Sequence, residues 1–275
     1  MNNLDKKTVQ SFGEEWTRFD QMGMNKKEAL KIFSNYFSIF PLKKLRKSSV
    51  GFDMGCGSGR WAQFLAPKVG LLHCIDPSKA INVAKKNLKE FKNIRYHQKS
   101  LDKCKIRIKS QDFGYSLGVL HHVPKTSNAL KSCVKLLKPG APFLLYIYYA
   151  FDNRPIWFKF LWILSNYVRL AVHRLPKYIK FLICDLIAIL IYYPLARFSL
   201  FFEKIGFKFK NFPLHFYRSK SFYVMRTDAR DRFGTPLEKR FSKKEISKMM
   251  KDSGLEKIKF KTSPPFWAAI GFKKK

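Results

Sequence analysis

Apolar and polar positions divide the chain into three rhythms. Between Val50 and Tyr149, short apolar runs alternate with segments whose apolar residues recur every three or four positions. The runs Val50–Met54, Leu71–Ile75, Ile94–His97, Phe113–Leu117 and Pro142–Tyr149 predict five strands. Arg60–Ala66, Ser78–Leu88 and Ser127–Leu137 carry the helical period, and Lys138-Pro139-Gly140 ends the last. This alternation predicts an α/β domain with a doubly wound, mostly parallel sheet. After Tyr149 the rhythm changes. Ile156–Phe202 is a long apolar and aromatic stretch, interrupted by Lys159, Arg169, Arg174, Lys177, Lys180, Asp185 and Arg197. Its charge-free part, Leu186–Ala196, falls well short of the roughly 18–20 residues a bilayer span needs. The stretch therefore suits helices capping the sheet, or a helix pair lying in a membrane interface. Toward the end, Ser242-Lys243-Lys244-Glu245 reads as a capping box opening a helix to Asp252, which Gly254 terminates. Leu255–Lys261 then alternates as a strand, with Phe266–Phe272 as its hairpin partner. At the start, residues 1–46 read as amphipathic helices: Phe12, Trp16 and Phe19 fall close together, and Asn25 with Glu28 predicts a capped helix from Lys26 to Phe40 that Pro41 stops.

The first strand and the glycine-rich turn after it carry the most information. Val50-Gly51-Phe52-Asp53-Met54 keeps one acid, and Gly55, Gly57 and Gly59 come next at spacing two before Arg60. A strand turning through glycines into a helix brings backbone N–H groups and a positive helix end toward a ligand. The second strand ends in Asp76, where an acid can accept hydrogen bonds from a ribose diol. This pair resembles the class I S-adenosylmethionine-dependent methyltransferases; dinucleotide dehydrogenases space their glycines Gly-x-Gly-x-x-Gly instead. Asp112-Phe113-Gly114-Tyr115-Ser116-Leu117-Gly118-Val119-Leu120-His121-His122-Val123-Pro124, with Leu136-Leu137-Lys138-Pro139-Gly140, is similar to the small-molecule methyltransferases of the ubiquinone/menaquinone type. Ala141 stands where that pattern usually has a second glycine. The resemblance covers residues 48–150 and weakens after Tyr149.

The resemblance implies a Rossmann-like fold with a seven-stranded sheet and a helical insertion after strand five, and S-adenosyl-L-methionine as cofactor. It places Asp53 at the methionyl ammonium, Gly55, Cys56, Gly57, Ser58 and Gly59 against the cofactor, and Asp76 with Pro77 at the ribose. Ser100 and Leu101 fall where the family often faces the adenine with an aspartate, and Asp102 comes two places late. Leu117 and Gly118 should lie under the methionine part. The expected divisions are a helical lid over 1–46, a cofactor-binding core over 47–150, an acceptor-capping insertion over 151–225, and a helix with strands over 226–275 completing the sheet.

Two clusters suit the acceptor side. A neutral His121 or His122, after strand four, can take a proton from an attacking hydroxyl; either can equally pack or cap the loop. Downstream, Asp228 or Asp231 can act as a base or orient one, and Arg230 and Arg232 can clamp a carboxylate or phosphate. A surface salt-bridge ladder fits the same residues. No Pro-Cys dipeptide is present, so the usual nucleophile of pyrimidine C5 methylation is missing. Ser263-Pro264-Pro265-Phe266 stands at the C-terminus, not after strand four, which argues against methylation of a nucleobase amine. No metal-binding pattern appears.

Composition changes the picture in one respect. The 275 residues include 54 Lys+Arg against 19 Asp+Glu, a formal charge of +35. The excess suits an anionic partner, whether nucleic acid, an acidic lipid surface or a phosphorylated substrate, or else simply solvated lysine faces. Five cysteines without Cys-x-x-Cys pairing fit reduced thiols in a cytoplasmic protein, peripheral on the inner membrane face if the apolar stretch is interfacial. The polar N-terminus has no signal-peptide core. The expected function is methyl transfer to a hydroxyl, or else a carbon or nitrogen, of a small, amphipathic or anionic acceptor such as a lipid, a quinone precursor or a lipid-linked sugar. One rival is an RNA methyltransferase using the basic surface, although no separate RNA-binding module appears. Another is a non-catalytic scaffold binding a partner or membrane through 156–202, against which the intact glycine loop and Asp76 speak.

Overall fold

The computed structural model describes residues 3–21, 23–100, 103–207 and 211–275. The chain forms two units, Met1–Tyr149 with Leu237–Lys275, and Ala150–Pro236. In the first unit, α1 (Lys6–Arg18) and α2 (Lys26–Tyr36) precede β1 (Val50–Met54), α3 (Ala62–Leu65), β2 (Leu71–Ile75), α4 (Ala80–Asn87), β3 (Ile94–His97), β4 (Phe113–Leu117), α5 (Thr126–Leu136) and β5 (Pro142–Tyr146). The second unit holds α6 (Ile156–Val172), α7 (Lys177–Ile187), α8 (Tyr193–Lys204) and α9 (Phe222–Gly234). The chain then returns to the first unit with α10 (Lys243–Asp252), β6 (Leu255–Phe260) and β7 (Ala269–Lys273).

The sheet has seven strands in the order β3-β2-β1-β4-β5-β7-β6. The first five pair in parallel, β7 runs antiparallel to β5, and β6 runs antiparallel to β7. Only β7 is therefore reversed, and it pairs antiparallel with β6 as the expected hairpin partner. Strand order changes direction between β1 and β4, and open α/β sheets bind ligands in the crevice beyond the strand ends at such a point. Phe52 faces Gly114 and Gly51 faces Phe113 across β1 and β4, so each ring lies over a residue with no side chain. On one side of the sheet, α5 and α10 close a core that includes Phe52, Leu130, Val134, Phe143, Ile246 and Met250.

Local chemistry sets the element ends. Ser242 Oγ accepts from Glu245 N and the Glu245 carboxylate accepts from Ser242 N, completing the box expected there. Ser242→Ala should lower stability by about 1 kcal/mol in urea unfolding with an unchanged slope. The helix expected over Arg60–Ala66 is only the single turn α3, followed by a 3₁₀ turn over Ala66–Lys68. Pro67 has no N–H to continue the ladder. The strand expected to reach Tyr149 ends at Tyr146, although Tyr149 still bridges to Phe241.

The helical unit runs past residue 225 to Pro236 because α9 belongs to its core. Val172, Cys184, Ala188, Tyr192 and Ala196 pack with Met225, Ala229 and Phe233. A π-helical turn over Ala188–Tyr192 joins α7 to α8, making a continuous 28-residue helix, Lys177–Lys204. By length and composition that helix is apolar enough to cross a membrane. One face of it is buried against α9, and the opposite face is exposed.

Candidate active site

The tips of β1 and β2 interlock. Gly55 N and Cys56 N both donate to Ile75 O (2.8 and 3.1 Å), and Gly57 N donates to Asp76 Oδ2 (2.9 Å). Gly59 N donates to Cys56 O (2.8 Å). These N–H groups are engaged within the protein, and α3 is too short to present a helix end. The N–H groups of Gly55, Cys56, Gly57 and Gly59 are therefore taken by the protein itself. The glycines serve close approach instead: a side chain at Gly55, whose φ is +77°, would strike Val119, and one at Gly57 would come within 3.2 Å of the Trp16 indole nitrogen.

Two polar groups in this loop are left over. Asp53 is 1% exposed and Ser58 is 2% exposed, and neither the Asp53 carboxylate nor the Ser58 hydroxyl has a hydrogen-bond partner among the described residues. Burial pushes the Asp53 carboxyl up to about 8. The nearby Tyr115 hydroxyl opposes that rise without forming a well-aligned bond, Asp76 adds to it, and Arg60 opposes it. A buried, unmatched acid calls for a cation or an N–H donor. Asp76 differs. Its Oδ1 accepts from Ser78 N and Ser78 Oγ (2.8 and 2.6 Å), which fixes the carboxylate at the crevice. Burial raises its pKa, and the Ser78 and Gly57 bonds oppose the rise. Asp53 also makes the free protein pH-sensitive. With its folded pKa raised above the ordinary value of 3.8, its contribution is fully present at low pH. That contribution is lost as pH climbs toward about 8, so thermal stability should fall over this window, and Asp53→Asn should flatten the slope.

A lid of aromatic side chains lies over the loop. Trp16 of α1 sits on Gly57, and the Arg60 guanidinium lies 5.5 Å from its ring and 4.2 Å from that of Trp61. Asn87 of α4 donates to Asp20 O and Ser58 O (2.7 and 3.0 Å), tying the end of the lid to the loop. Phe19 is buried. Tyr36 contacts both Trp61 and Tyr146 (5.2 and 5.1 Å between centroids), continuing the aromatic wall across the ends of the strands.

At the end of β4, Leu117 is buried and Gly118 takes φ +78°, its N–H donating to Tyr146 O (2.9 Å). The chain then makes a 3₁₀ turn over Leu120–His122. His122 Nδ1 bonds Leu237 O (2.6 Å), and its ring meets Phe12 of α1 edge-on at 4.8 Å. His121 is fully buried, with its ring 3.8 Å from that of His122 and 3.9 Å from that of Tyr148. Neither ring nitrogen of His121 has a hydrogen-bond partner among the described residues. Burial holds its pKa well below 6.5, with His122 and Arg240 adding to the fall, so the ring is neutral.

Other expected site residues lie elsewhere. Pro77 is half-buried in the turn between Asp76 and Ser78, and Cys56 is buried beneath the loop. Ser100 is half-buried and its carbonyl accepts from Lys103 N (3.0 Å); Leu101 and Asp102 lie outside the described residues. Asp228, Asp231 and Arg232 belong to α9 of the helical unit. Arg232 is buried and donates to Ser165 Oγ (3.0 Å), and Arg230 is fully buried 4.7 Å from the Phe181 ring. Both arginines are packed into their own unit rather than opened outward as a clamp, because α9 carries charge all around and must place some of it inside.

The family model of a methyltransferase domain matches residues 52–145. No curated protein matches the chain. Its fold is similar to that of a chain in the Haloferax volcanii complex containing the Trm112 methyltransferase activator. That likeness has a TM-score of 0.53 at 11% identity, covering 96% of this chain and 98% of that one. CurJ carbon methyltransferase is similar with a TM-score of 0.54 at 10% identity, over 96% of this chain and 59% of that one. At such identities the likeness is one of fold. The seven-stranded sheet has the class I methyltransferase fold, and the domain it carries makes the chain a methyltransferase. Residues 52–145 form its methyltransferase domain, and its cofactor is S-adenosylmethionine. The orphaned Asp53 and Ser58 beside the pinned Asp76 fit that cationic nucleoside. The match is to the methyltransferase domain in general; the ubiquinone/menaquinone type stays a resemblance.

Sequence reading missed Ser78, Asn87, Tyr115 and Tyr148. Ser78 had a signal, because Asp-Pro-Ser is a side-chain-to-backbone turn in which a hydroxyl two residues on returns to the carboxylate. The other three meet the site only through tertiary packing.

Proposed function

We propose that this enzyme methylates a hydroxyl group of a small amphipathic acceptor, with His121 as the base. The bound cofactor supplies an electrophilic methyl group on a sulfonium. Asp53, once ionised, counters positive charge on the methionyl side, and Asp76 accepts from the ribose hydroxyls while Ser78 and Gly57 hold it still. The aromatic wall of Trp16, Tyr36, Trp61 and Tyr146 excludes water and favours an acceptor with an apolar body. The observation that carries the hydroxyl assignment is His121: a neutral buried imidazole, with no internal partner, just beyond β4 at the strand-order reversal. An alcohol must lose its proton as the oxygen is methylated, and a neutral imidazole can take it. The Tyr148 ring, tilted against that of His121 at 3.9 Å, is the side chain that covers it. The apolar insertion supports a lipid, a quinone precursor or a lipid-linked sugar as that acceptor.

Incubating the enzyme with methyl-labelled cofactor and cell fractions tests this directly. The expected product is a methyl ether in the lipid-soluble fraction. Label on an amine would overturn the hydroxyl assignment, and label in RNA would favour the rival suggested by the basic composition. Cofactor binding should also respond to pH. A cation beside Asp53 requires its ionised form, so each binding event below pH about 8 releases a proton. Affinity should then rise by up to about tenfold per pH unit toward 8 and level off above it. Calorimetry in two buffers of different ionisation enthalpy measures the released proton, and Asp53→Asn should abolish it.

A further inference from the structure

We infer that the helical unit Ala150–Pro236 docks on an anionic lipid bilayer, with α6 and the continuous α7–α8 helix lying in the interface. All but two of the large hydrophobic side chains exposed among the described residues, Leu30 and Ile108, fall between Ile156 and Phe207. On α6, Phe160, Leu164 and Tyr167 are 59%, 48% and 67% exposed. On α7–α8, Leu182, Leu190 and Phe201 are 59%, 68% and 58% exposed. Their spacing of three, four, eight or eleven marks one outward stripe on each helix. The buried stripe of α7–α8 is already used on α9 through Phe181, Ala188 and Tyr192. Soluble proteins rarely leave so many large apolar side chains exposed in one segment without an occupant.

Charge identifies the occupant. Lys159, Arg174, Lys177 and Lys204 are exposed along or at the ends of these helices. The acids there are matched internally: Asp185 takes both bonds from Arg226 at 2.6 Å, and Glu203 pairs with Arg218. An apolar stripe bordered by unmatched cations suits acyl chains beneath anionic headgroups, with long basic side chains reaching up to the phosphates. A second copy fits poorly, because pairing this face with itself would set like charges together.

Packing also decides between lying in the membrane and crossing it. Lys177–Lys204 is long enough to cross. But α9 packs along α7 and the π turn, and it carries Arg226, Asp228, Arg230, Asp231 and Arg232. Spanning would draw that charged helix into hydrocarbon, which costs far more than the apolar stripe returns. In-plane insertion wets α9 and immerses only the outward stripes. This docking does not depend on which acceptor is methylated, since vesicle binding and methyl transfer are separate readouts.

The test is flotation of the full-length protein with vesicles of phosphatidylcholine alone, or of phosphatidylcholine and phosphatidylglycerol in equal parts. The expected result is co-flotation favouring the anionic vesicles, weakened but not abolished by high salt. Leu182→Glu with Leu190→Glu should reduce binding by about tenfold or more, leaving the melting temperature and cofactor affinity unchanged because both side chains are exposed. Lys159→Glu with Lys177→Glu should remove the preference for anionic vesicles. Wild-type protein staying in solution with both vesicles at low salt would overturn the proposal. So would binding indifferent to the leucine substitutions, retention after alkaline extraction with protease protection (a spanning helix), or a dimer that those substitutions dissociate without any vesicle binding.

Discussion

Replacing Asp76 with alanine is expected to weaken S-adenosylmethionine binding by about two orders of magnitude or more, measured by calorimetry. Hydrogen bonds to a charged group contribute roughly 1.5–3 kcal/mol each, and two ribose hydroxyls would lose their acceptor together. The loop would suffer as well. Asp76 is where Gly57 N, Ser78 N and Ser78 Oγ all find their acceptor. Its loss leaves those donors unmatched at a buried site, and the turn that brings Gly57 beneath Trp16 loosens. Asp76→Asn separates the two effects: it keeps an oxygen for one set of donors but loses the charge. Its binding should fall between wild type and alanine, with a melting temperature nearer wild type. Ser78→Ala should weaken binding more mildly, since it removes one bond to the carboxylate and leaves the backbone bond. If Asp76→Ala bound the cofactor as tightly as wild type, the ribose assignment would fail and with it the reading of the β1–β2 tip as the cofactor cradle.

The strands and the cofactor loop were legible because each is a local statement. Val50–Met54 and Leu71–Ile75 are five-residue apolar runs flanked by turn residues, and the structure places both strands at those residues. Asp53 and Asp76 stand out because an acid at the end of a buried strand contradicts its surroundings. The ends of α3 and β5 were less legible, since the apolar pattern runs straight through Pro67, just after α3, and through Tyr146, where β5 ends. What the glycine loop does with its N–H groups could not be read at all. The acceptors of Gly55, Cys56 and Gly57, Ile75 O and Asp76 Oδ2, are about twenty residues away in sequence and become neighbours only when β1 pairs with β2. The long apolar stretch was ambiguous for a physical reason. A helix with one face on α9 and the other outward has the same composition as a helix buried on both sides, and only exposure at positions such as Leu182 and Leu190 separates them.

The second large effect concerns His121. His121→Ala should lower kcat by about a hundredfold to ten-thousandfold, the range for removing a general base, while cofactor affinity stays near wild type because a base acts on the acceptor. A structural histidine would behave differently: its loss would cut the melting temperature and alter KM and kcat together. His122→Ala provides that comparison, since it breaks the 2.6 Å bond to Leu237 O and frees the turn from the segment after α9. The pH profile discriminates further. An ordinary histidine base fades as pH falls through about 6.5. Burial holds His121 well below that value, so kcat at saturating cofactor should stay flat through pH 6 and decline only in more acidic solution. A midpoint near 6.5 would mean that the working base is exposed. Full activity in His121→Ala would withdraw the base from this turn and move the search to Asp228 and Asp231 on α9, where Asp→Asn substitutions with the same pH profile would decide.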